Sequence, residues 1–274
     1  MKIGVDLGGT NVRAALVDGT TVIRKEKTPC PAKGTQEEVI EAIAALIEPL
    51  VCEEVTSVGM GVPSVVDTTR GIVYNVANIP SWVEVHLKDI LEERFDIPVF
   101  INNDSNCFTL GESRFGQGRG YKDIVGVTLG TGVGSGIMIG GHLYEGRNAG
   151  AGEIGCLSYL DKDYESYCST PFFISHNTSG AELAAKAQAG DAEALALWDE
   201  FGHHIGELVK AVLFAYDPEA IIFGGGIAAS HPYFEKAMHE TVQTFPYETA
   251  KDVKILFSED GDMGLYGASV LDEK

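Results

Sequence analysis

The chain has 274 residues, of which 45% are hydrophobic and 22% charged, and its formal net charge is −20. That charge argues against binding to nucleic acid or to an anionic membrane surface, because lysine and arginine make those contacts. No apolar run reaches the roughly 20 residues that span a bilayer. The five cysteines are scattered and odd in number, and Met1 leads directly into a predicted strand without a signal peptide, so we expect a cytoplasmic protein.

The first half of the chain predicts three strands followed by alternating helices and strands. A capping-box pattern, Thr35 with Glu38, marks the start of the first helix. The Asp18–Gly19 pair is typical of a hairpin turn. The predicted elements are strands at 2–6, 11–17, 21–28, 57–62, 70–76 and 97–101, and helices starting at 35 and covering 84–95 and 105–115. This order predicts a mixed sheet with helices on its faces.

The second half begins like the first, with a strand, a glycine turn and another strand. This likeness indicates an internal duplication of a hairpin at long separation. The remaining pattern predicts helices and strands in alternation. The predicted elements are strands at 123–129, 135–140, 219–223 and 253–257, and helices at 180–190, 191–216, 233–244 and 264–271.

Glycine-rich turns are the most specific local signal in the sequence. Gly8–Thr10 and Gly130–Gly134 each join two predicted strands, and Gly224–Gly226 follows an apolar strand. Exposed backbone N–H groups in such turns can hold phosphate oxygens, and the threonines add hydroxyl donors. A dinucleotide-binding fold is the rival interpretation. It is disfavoured because its glycine motif must open a helix, whereas a strand is predicted after Gly134.

Asp104 follows the buried strand at 97–101 and is predicted as the N-cap of the next helix. A carboxylate there is stabilised by unpaired backbone N–H groups and the helix dipole, so we expect Asp104 to be ionised at neutral pH and able to accept a proton. Aspartates that only cap a helix are more common than aspartates that act as catalytic bases. The glycine turns on either side of Asp104 favour the catalytic interpretation.

These motifs resemble, in order and over nearly the whole chain, those of the ROK family of sugar kinases and sugar-responsive repressors, which belongs to the actin-like ATPase superfamily. The segments that carry the resemblance are 6–13 (DLGGTNVR), 61–67, 78–82, 103–112, 129–134 (LGTGVG), 151–155 (AGEIG), 222–226 and 264–268. The resemblance implies an α/β fold of two ribonuclease-H-like lobes with a central cleft. The first lobe would comprise 1–105 plus about 262–274, and the second 106–261.

The resemblance also implies roles for individual residues. Asp104 would be the catalytic base that takes a proton from a sugar hydroxyl, and Asp6 would hold Mg²⁺ through water. Thr128 is the counterpart of Asp6 in the second turn, so only the first turn carries a metal-facing carboxylate. The sugar-binding residues would be Ser64, Asn78, Asn103, Asp104, Glu153 and Glu165. The residues that bind ATP would be Asp6, Gly8, Gly9, Thr10, Asn11, Gly130, Thr131, Gly132, Gly225 and Gly226.

The sequence departs from the family where a histidine and a zinc-binding cysteine run are usual. Cys156 takes the histidine position, and Cys168 is the one cysteine in the following segment. Two thiols cannot complete a tetrahedral zinc site, so we expect no zinc. Three tyrosines of this segment could anchor the loop in place of zinc and could also stack on a sugar; simple coverage of the core is an equal alternative. They are Tyr159, Tyr164 and Tyr167.

The function implied is an ATP-dependent sugar kinase that transfers the γ-phosphate to a hydroxyl of a hexose or hexose derivative. Within the family the sugar can be glucose, N-acetylmannosamine, fructose or a β-glucoside, and the sequence does not choose among them. The alternative is a sugar-binding regulator or sensor without kinase activity. Repressors of the family carry a DNA-binding domain before the first phosphate motif, which starts here at Asp6. The resemblance also implies a homodimer.

Overall fold

The structure is a computed structural model that describes residues 1–147 and 149–274. The first half of the chain forms a five-stranded sheet, a small three-stranded sheet and three helices. These elements are β1 (Lys2–Leu7), β2 (Asn11–Asp18), β3 (Thr21–Pro29), α1 (Gln36–Ile47), β4 (Ser57–Val62), β5 (Val65–Asp67), β6 (Ile72–Tyr74), β7 (Glu84–Val85), α2 (Leu87–Phe95), β8 (Val99–Asn103) and α3 (Asp104–Arg114).

The second half forms another five-stranded sheet and most of the helices. Its elements are β9 (Ile124–Leu129), β10 (Val133–Ile139), β11 (His142–Leu143), β12 (Ser158–Tyr159), β13 (Lys162–Asp163), α4 (Tyr164–Cys168), α5 (Thr170–Ser175), α6 (Gly180–Gln188), α7 (Ala192–Tyr216), β14 (Ala220–Gly224), α8 (His231–Val242), β15 (Lys254–Phe257) and α9 (Met263–Ser269). Short 3-10 turns lie at Glu48–Leu50, Ile154–Cys156, Ala228–Ser230, Glu248–Asp252 and Leu271–Glu273.

The two large sheets have the same strand order and the same strand directions. The first runs β3-β2-β1-β4-β8 and the second β11-β10-β9-β14-β15. In each, the first hairpin is antiparallel and the two later strands add in parallel. The duplication predicted from the glycine turns therefore extends to the whole sheet. Because of it, the β1–β2 and β9–β10 turns occupy equivalent places in the two sheets.

Each sheet has its own hydrophobic core, and a third cluster joins them. The strand β4 is buried along its whole length, as expected for a parallel strand covered on both faces. The joining cluster includes Cys107 and Leu110 of α3 and Met263 and Ala268 of α9. These two helices approach closely, since a Cβ at Gly267 would lie 1.8 Å from the carbonyl oxygen of Cys107. Helix α3 is thus tied to the C-terminal helix.

Local sequence patterns account for most element boundaries. Thr35 and Glu38 form the predicted capping box at the start of α1. The helix predicted at 84–95 begins instead at Leu87, because Glu84 and Val85 pair with β6 as a short strand. The short helices α4 and α5 had no sequence prediction. Among residues 1–147 and 149–274, no helix has both the length and the apolar character needed to cross a membrane.

Candidate active site

A cavity of about 670 Å³ lies where the glycine turns of the two sheets meet. Both halves of the chain line it. The predicted site residues among its walls are Gly8, Gly9, Ser64, Asn78, Asn103, Asp104, Gly130, Thr131, Gly132, Glu153 and Glu165. The remaining predicted site residues do not line the cavity: Asp6, Thr10, Asn11, Gly225 and Gly226. All the residues expected to contact the sugar therefore share one cavity with both glycine turns.

Several wall residues were not among the predicted binding residues. They are Pro63, Val65, Asn75, Ala77, Ser105, Thr128, Val133, Gly134 and Ser135. A signal existed for Gly134 and Ser135, because they continue the second glycine turn into β10. Thr128 had been singled out as the counterpart of Asp6. No sequence signal pointed to Asn75 or Ala77, which reach the cavity through the loop after β6.

Asp104 is the first residue of α3, and Asn103 is the N-cap. The Asn103 side-chain oxygen accepts hydrogen bonds from the backbone N–H groups of Ser105 and Asn106, at 2.9 and 3.4 Å. The prediction that Asp104 is the cap was therefore wrong by one residue. Asparagine and aspartate cap helices about equally well, so the sequence could not separate them. The Asp104 carboxylate accepts a hydrogen bond from the Ser105 N–H at 2.8 Å.

The pKa of Asp104 is raised to about 7. Burial of the carboxyl is the largest cause, followed by the negative charge of Asp6, while hydrogen bonds from Ser105 act in the opposite direction. The expectation that the helix start keeps Asp104 fully ionised at neutral pH was therefore wrong. Desolvation in the cleft outweighs the local stabilisation. A carboxyl that titrates near neutrality is suited to proton transfer.

Two glutamates line the second half of the cavity. The Glu165 carboxylate accepts a hydrogen bond from the Val133 N–H at 3.1 Å. It also lies against the second glycine turn, where a Cβ on Gly132 would approach its Oε2 to 2.2 Å. Burial, and then the charge of Glu165, raise the pKa of Glu153. The pair presents carboxylate oxygens, which are the acceptors that sugar hydroxyl groups require.

The first half supplies amide and hydroxyl groups to the cavity. Asn78 packs against Gly9 of the first turn, where a Cβ would approach the Asn78 side chain to 3.0 Å. The Asn103 amide donates to the Ser64 carbonyl at 3.4 Å, and the Ser64 hydroxyl donates to the Tyr74 carbonyl. These contacts fix the loop after β4 against the start of α3.

Asp6 lies at the end of β1, opposite Arg13 of β2. Its Oδ2 accepts hydrogen bonds from Arg13 Nε and Nη2 at 3.1 and 2.6 Å. Among residues 1–147 and 149–274, no group donates a hydrogen bond to Oδ1. A carboxylate oxygen of this kind fits the water shell of Mg²⁺, which is commonly held by one or two carboxylates and substrate phosphates.

The third glycine loop lies beside the second turn. A Cβ on Gly225 would approach the Leu129 carbonyl oxygen to 2.4 Å, and the Ile227 N–H donates to that oxygen at 3.1 Å. Gly226 has open space where a Cβ would stand. The loop thus leaves room for a ligand next to the second turn, although it does not line the cavity itself.

Comparison with known proteins places the chain in a family. Residues 2–274 match the ROK family. A glucokinase of Thermotoga maritima is 32% identical over 99% of this chain and 97% of its own length.

The chain belongs to the ROK family.

A second comparison concerns solved structures. A ROK family glucokinase from Streptomyces griseus, determined in complex with glucose and AMPPNP, superposes on this ROK protein with a TM-score of 0.83, at 28% identity and over 98% of each chain. The predicted fold is therefore confirmed. The predicted enzyme class, an ATP-dependent carbohydrate kinase, is confirmed by the same relatives. Regulators also belong to the family: the xylose repressor of Bacillus subtilis is 27% identical over 90% of this chain and 69% of its own length.

This ROK protein holds the segment after Glu153 with aromatic side chains. Tyr159 stacks on Tyr164 with ring centroids 4.4 Å apart, and its hydroxyl contacts Nδ1 of His204 in α7 at 3.0 Å. Tyr167 also packs on His204. None of the three tyrosines lines the cavity, and all three contact α7.

The two cysteines at the family's histidine and zinc-binding segment lie in different environments. Cys156 is exposed and does not line the cavity, whereas Cys168 is fully buried. The described part of the chain contains no group of three or more His, Cys, Asp or Glu side chains arranged to hold a metal ion. The absence of zinc stays a prediction, which elemental analysis of the purified protein would test.

Proposed function

We propose that this protein transfers the γ-phosphoryl group of ATP to a hydroxyl of a hexose or hexose derivative bound in the 670 Å³ cleft. The observation that carries the proposal is that Asp104, with its raised pKa, lies in one cavity with both glycine turns and with Glu153 and Glu165. Phosphoryl transfer depends mainly on positioning, charge stabilisation and a group that accepts the alcohol proton. The cleft contains candidates for each.

Asp104 is assigned as the proton acceptor. With a pKa of about 7, a substantial fraction is ionised at neutral pH and can take the hydroxyl proton as the phosphoryl group is transferred. General-base catalysis of this type contributes about 10²–10⁴-fold. Orientation of the two substrates across the cleft supplies much of the remainder.

The sugar is assigned to the part of the cleft lined by Glu153 and Glu165. Carboxylates there accept hydrogen bonds from hydroxyl groups, and the Asn78 and Asn103 amides are able to donate. The relatives named above include a glucokinase, so glucose is the first sugar to test. Substituted and linked hexoses are part of the proposal, because the family resemblance includes N-acetylmannosamine and β-glucosides among the sugars.

ATP is assigned to the two glycine turns and the loop at Gly225 and Gly226. Asp6 would hold Mg²⁺ through its Oδ1 and intervening water. The phosphates of ATP would bind the ion as well. When bound, Mg²⁺ would neutralise charge on the transferring phosphoryl group. The turns contribute backbone N–H groups toward the phosphates, and Thr131 adds a hydroxyl at the cavity wall.

We further propose that the lobes comprise 1–105 with about 262–274, and 106–261. Support comes from α9, which packs against the first sheet: a Cβ on Gly59 of β4 would lie 1.7 Å from the Ala268 carbonyl oxygen. We also propose that the protein is a homodimer, as the family resemblance implies. Sedimentation velocity at several concentrations would test that assembly.

The experiment is an ADP-release assay over glucose, N-acetylmannosamine, fructose and cellobiose, with wild type and Asp104→Asn. We expect at least one sugar to be phosphorylated, and Asp104→Asn to lower kcat by about 10²–10⁴-fold with nearly unchanged sugar affinity. Asp191→Asn is the matched control, because Asp191 is a helix N-cap outside the cleft. Retention of more than about a tenth of the wild-type rate in Asp104→Asn would remove Asp104 from the role.

The same assay separates the kinase from the alternative function. A regulator without kinase activity would bind a sugar from this panel, measurable by calorimetry, and release no ADP with any of them. That result would favour the sensor hypothesis, which the xylose repressor among the relatives keeps open.

A further inference from the structure

Arg13 of β2 donates four hydrogen bonds to residues near the first glycine turn. Its Nε and Nη2 donate to Asp6 Oδ2 at 3.1 and 2.6 Å. Its Nη1 donates to Asp262 Oδ1 at 2.6 Å and to the Gly261 carbonyl at 3.3 Å. The guanidinium is a planar fork, so bonds to two carboxylates fix both its position and its orientation.

These contacts connect the end of β1 to the start of α9. Asp262 directly precedes α9, and Lys25 of β3 also donates a hydrogen bond to it. Although burial lowers it, the charges of Asp6 and then Asp262 raise the pKa of Arg13, which stays cationic. The side chain is about one-third exposed (34%), so the ion pairs are only partly screened by solvent.

The arrangement leaves the two oxygens of Asp6 in different states. Oδ2 is held by Arg13, while Oδ1 receives no hydrogen bond from any residue in 1–147 or 149–274. The equivalent pair in the second sheet is Thr128 opposite Gly134, which carries no charge. The arginine is therefore specific to the turn that carries the carboxylate.

We propose that Arg13 is a positioning residue of the kinase, which holds Oδ2 of Asp6 so that Oδ1 stays directed toward the water shell of Mg²⁺. This inference rests on the proposed function, in which Asp6 faces the metal. Mg²⁺ requires near-ideal octahedral geometry, so a carboxylate free to rotate would bind its water shell less well. Outer-shell partners of this kind typically affect metal affinity by about 10–100-fold.

Three variants separate positioning from simple stabilisation. Arg13→Met removes the donors and keeps an apolar stem, and Arg13→Lys keeps a charge without the planar fork. Lys25→Met is the matched control, because Lys25 contacts Asp262 but makes no hydrogen bond to Asp6. We expect the half-saturating Mg²⁺ concentration to rise about tenfold in Arg13→Met, to rise less in Arg13→Lys, and to stay unchanged in Lys25→Met. The sugar KM should not change.

A second readout does not depend on turnover. Calorimetric titration with AMPPNP, with Mg²⁺ and with EDTA, measures how much the metal improves nucleotide affinity. We expect Arg13→Met to reduce that improvement by about tenfold and to leave the metal-free affinity unchanged. Arg13→Lys provides the same comparison with the positive charge retained, and is decisive if Arg13→Met does not fold.

An unchanged Mg²⁺ dependence in Arg13→Met and Arg13→Lys would overturn the proposal, as would a loss of metal-free nucleotide affinity equal to the loss with Mg²⁺. Failure of the proposed function would look different. A wild-type protein that phosphorylates no sugar would contradict the kinase assignment, and the AMPPNP titration would still decide the role of Arg13.

Discussion

The β1–β2 turn and the β9–β10 turn occupy equivalent positions in two sheets of identical strand order. In the first, Asp6 lies opposite Arg13, and in the second, Thr128 lies opposite Gly134. The first turn thus carries a carboxylate and its cationic partner. The second carries a hydroxyl beside a glycine. The difference teaches that the duplicated topology brings two glycine turns together, while single side chains distinguish them; under the proposed function these side chains decide which turn faces the metal.

The second turn has a different task in this comparison. The Thr128 hydroxyl lies 3.2 Å from the Ser105 hydroxyl and 3.4 Å from the Gly134 carbonyl. Because Ser105 follows Asp104, these contacts join the turn to the start of α3. Under the proposed function, the second turn supports the helix that carries Asp104, whereas the first turn carries the carboxylate assigned to Mg²⁺.

The largest effect should come from exchanging the residues that distinguish the turns. We expect Asp6→Asn to lower kcat at limiting Mg²⁺ by roughly 10²-fold, because the carboxylate proposed to face the metal is lost. Thr128→Val removes neutral hydrogen bonds and should change kcat by less than about tenfold. Steady-state rates over a Mg²⁺ series test this pair. Equal losses in the two variants would show that the turns are functionally equivalent.

A smaller effect should follow from adding a methyl group to the second turn. A Cβ on Gly134 would lie 2.1 Å from the Ser105 hydroxyl, whereas a Cβ on Gly130 would meet nothing within 4 Å. We expect Gly134→Ala to lower the free energy of unfolding by about 1–3 kcal/mol through overpacking. Gly130→Ala should change it by less than about 1 kcal/mol. Urea unfolding measures both, and a larger loss in Gly130→Ala would contradict the packing assigned to this turn.

Local patterns were sufficient to predict most strands and the glycine turns, whereas the two-lobed fold with a central cleft followed from the family resemblance. Apolar runs gave the strands, and the glycines between them gave the turns. Repetition of the pattern predicted a duplicated hairpin, and the strand orders show that the duplication extends to the whole sheet. Small boundary errors, such as Asn103 in place of Asp104 as the cap, arose where two residue types suit one position equally well.

The properties that the sequence did not predict depend on contacts between distant residues. The pKa of Asp104 depends on burial and on Asp6, which lies nearly one hundred positions earlier in the chain. Tyr159 and Tyr167 pack on His204 of a later helix. The contact of Arg13 with Asp262 becomes apparent only when α9 returns to the first sheet. No local pattern contains this information.

The most direct test of the central claim is the pH dependence of kcat/KM for the sugar at saturating Mg²⁺ and ATP. Asp104 must be ionised to accept a proton, and its pKa is raised to about 7. We therefore expect kcat/KM to be constant above that pH and to fall about tenfold per pH unit below it. Asp6→Asn should move the midpoint to lower pH, because the Asp6 charge helps to raise the pKa of Asp104, and Thr128→Val should not. Titration of ATP itself is the same in all three proteins, so it cannot produce that difference. A rate that stays constant down to about pH 5 in the wild type, or a midpoint unmoved by Asp6→Asn, would contradict the account.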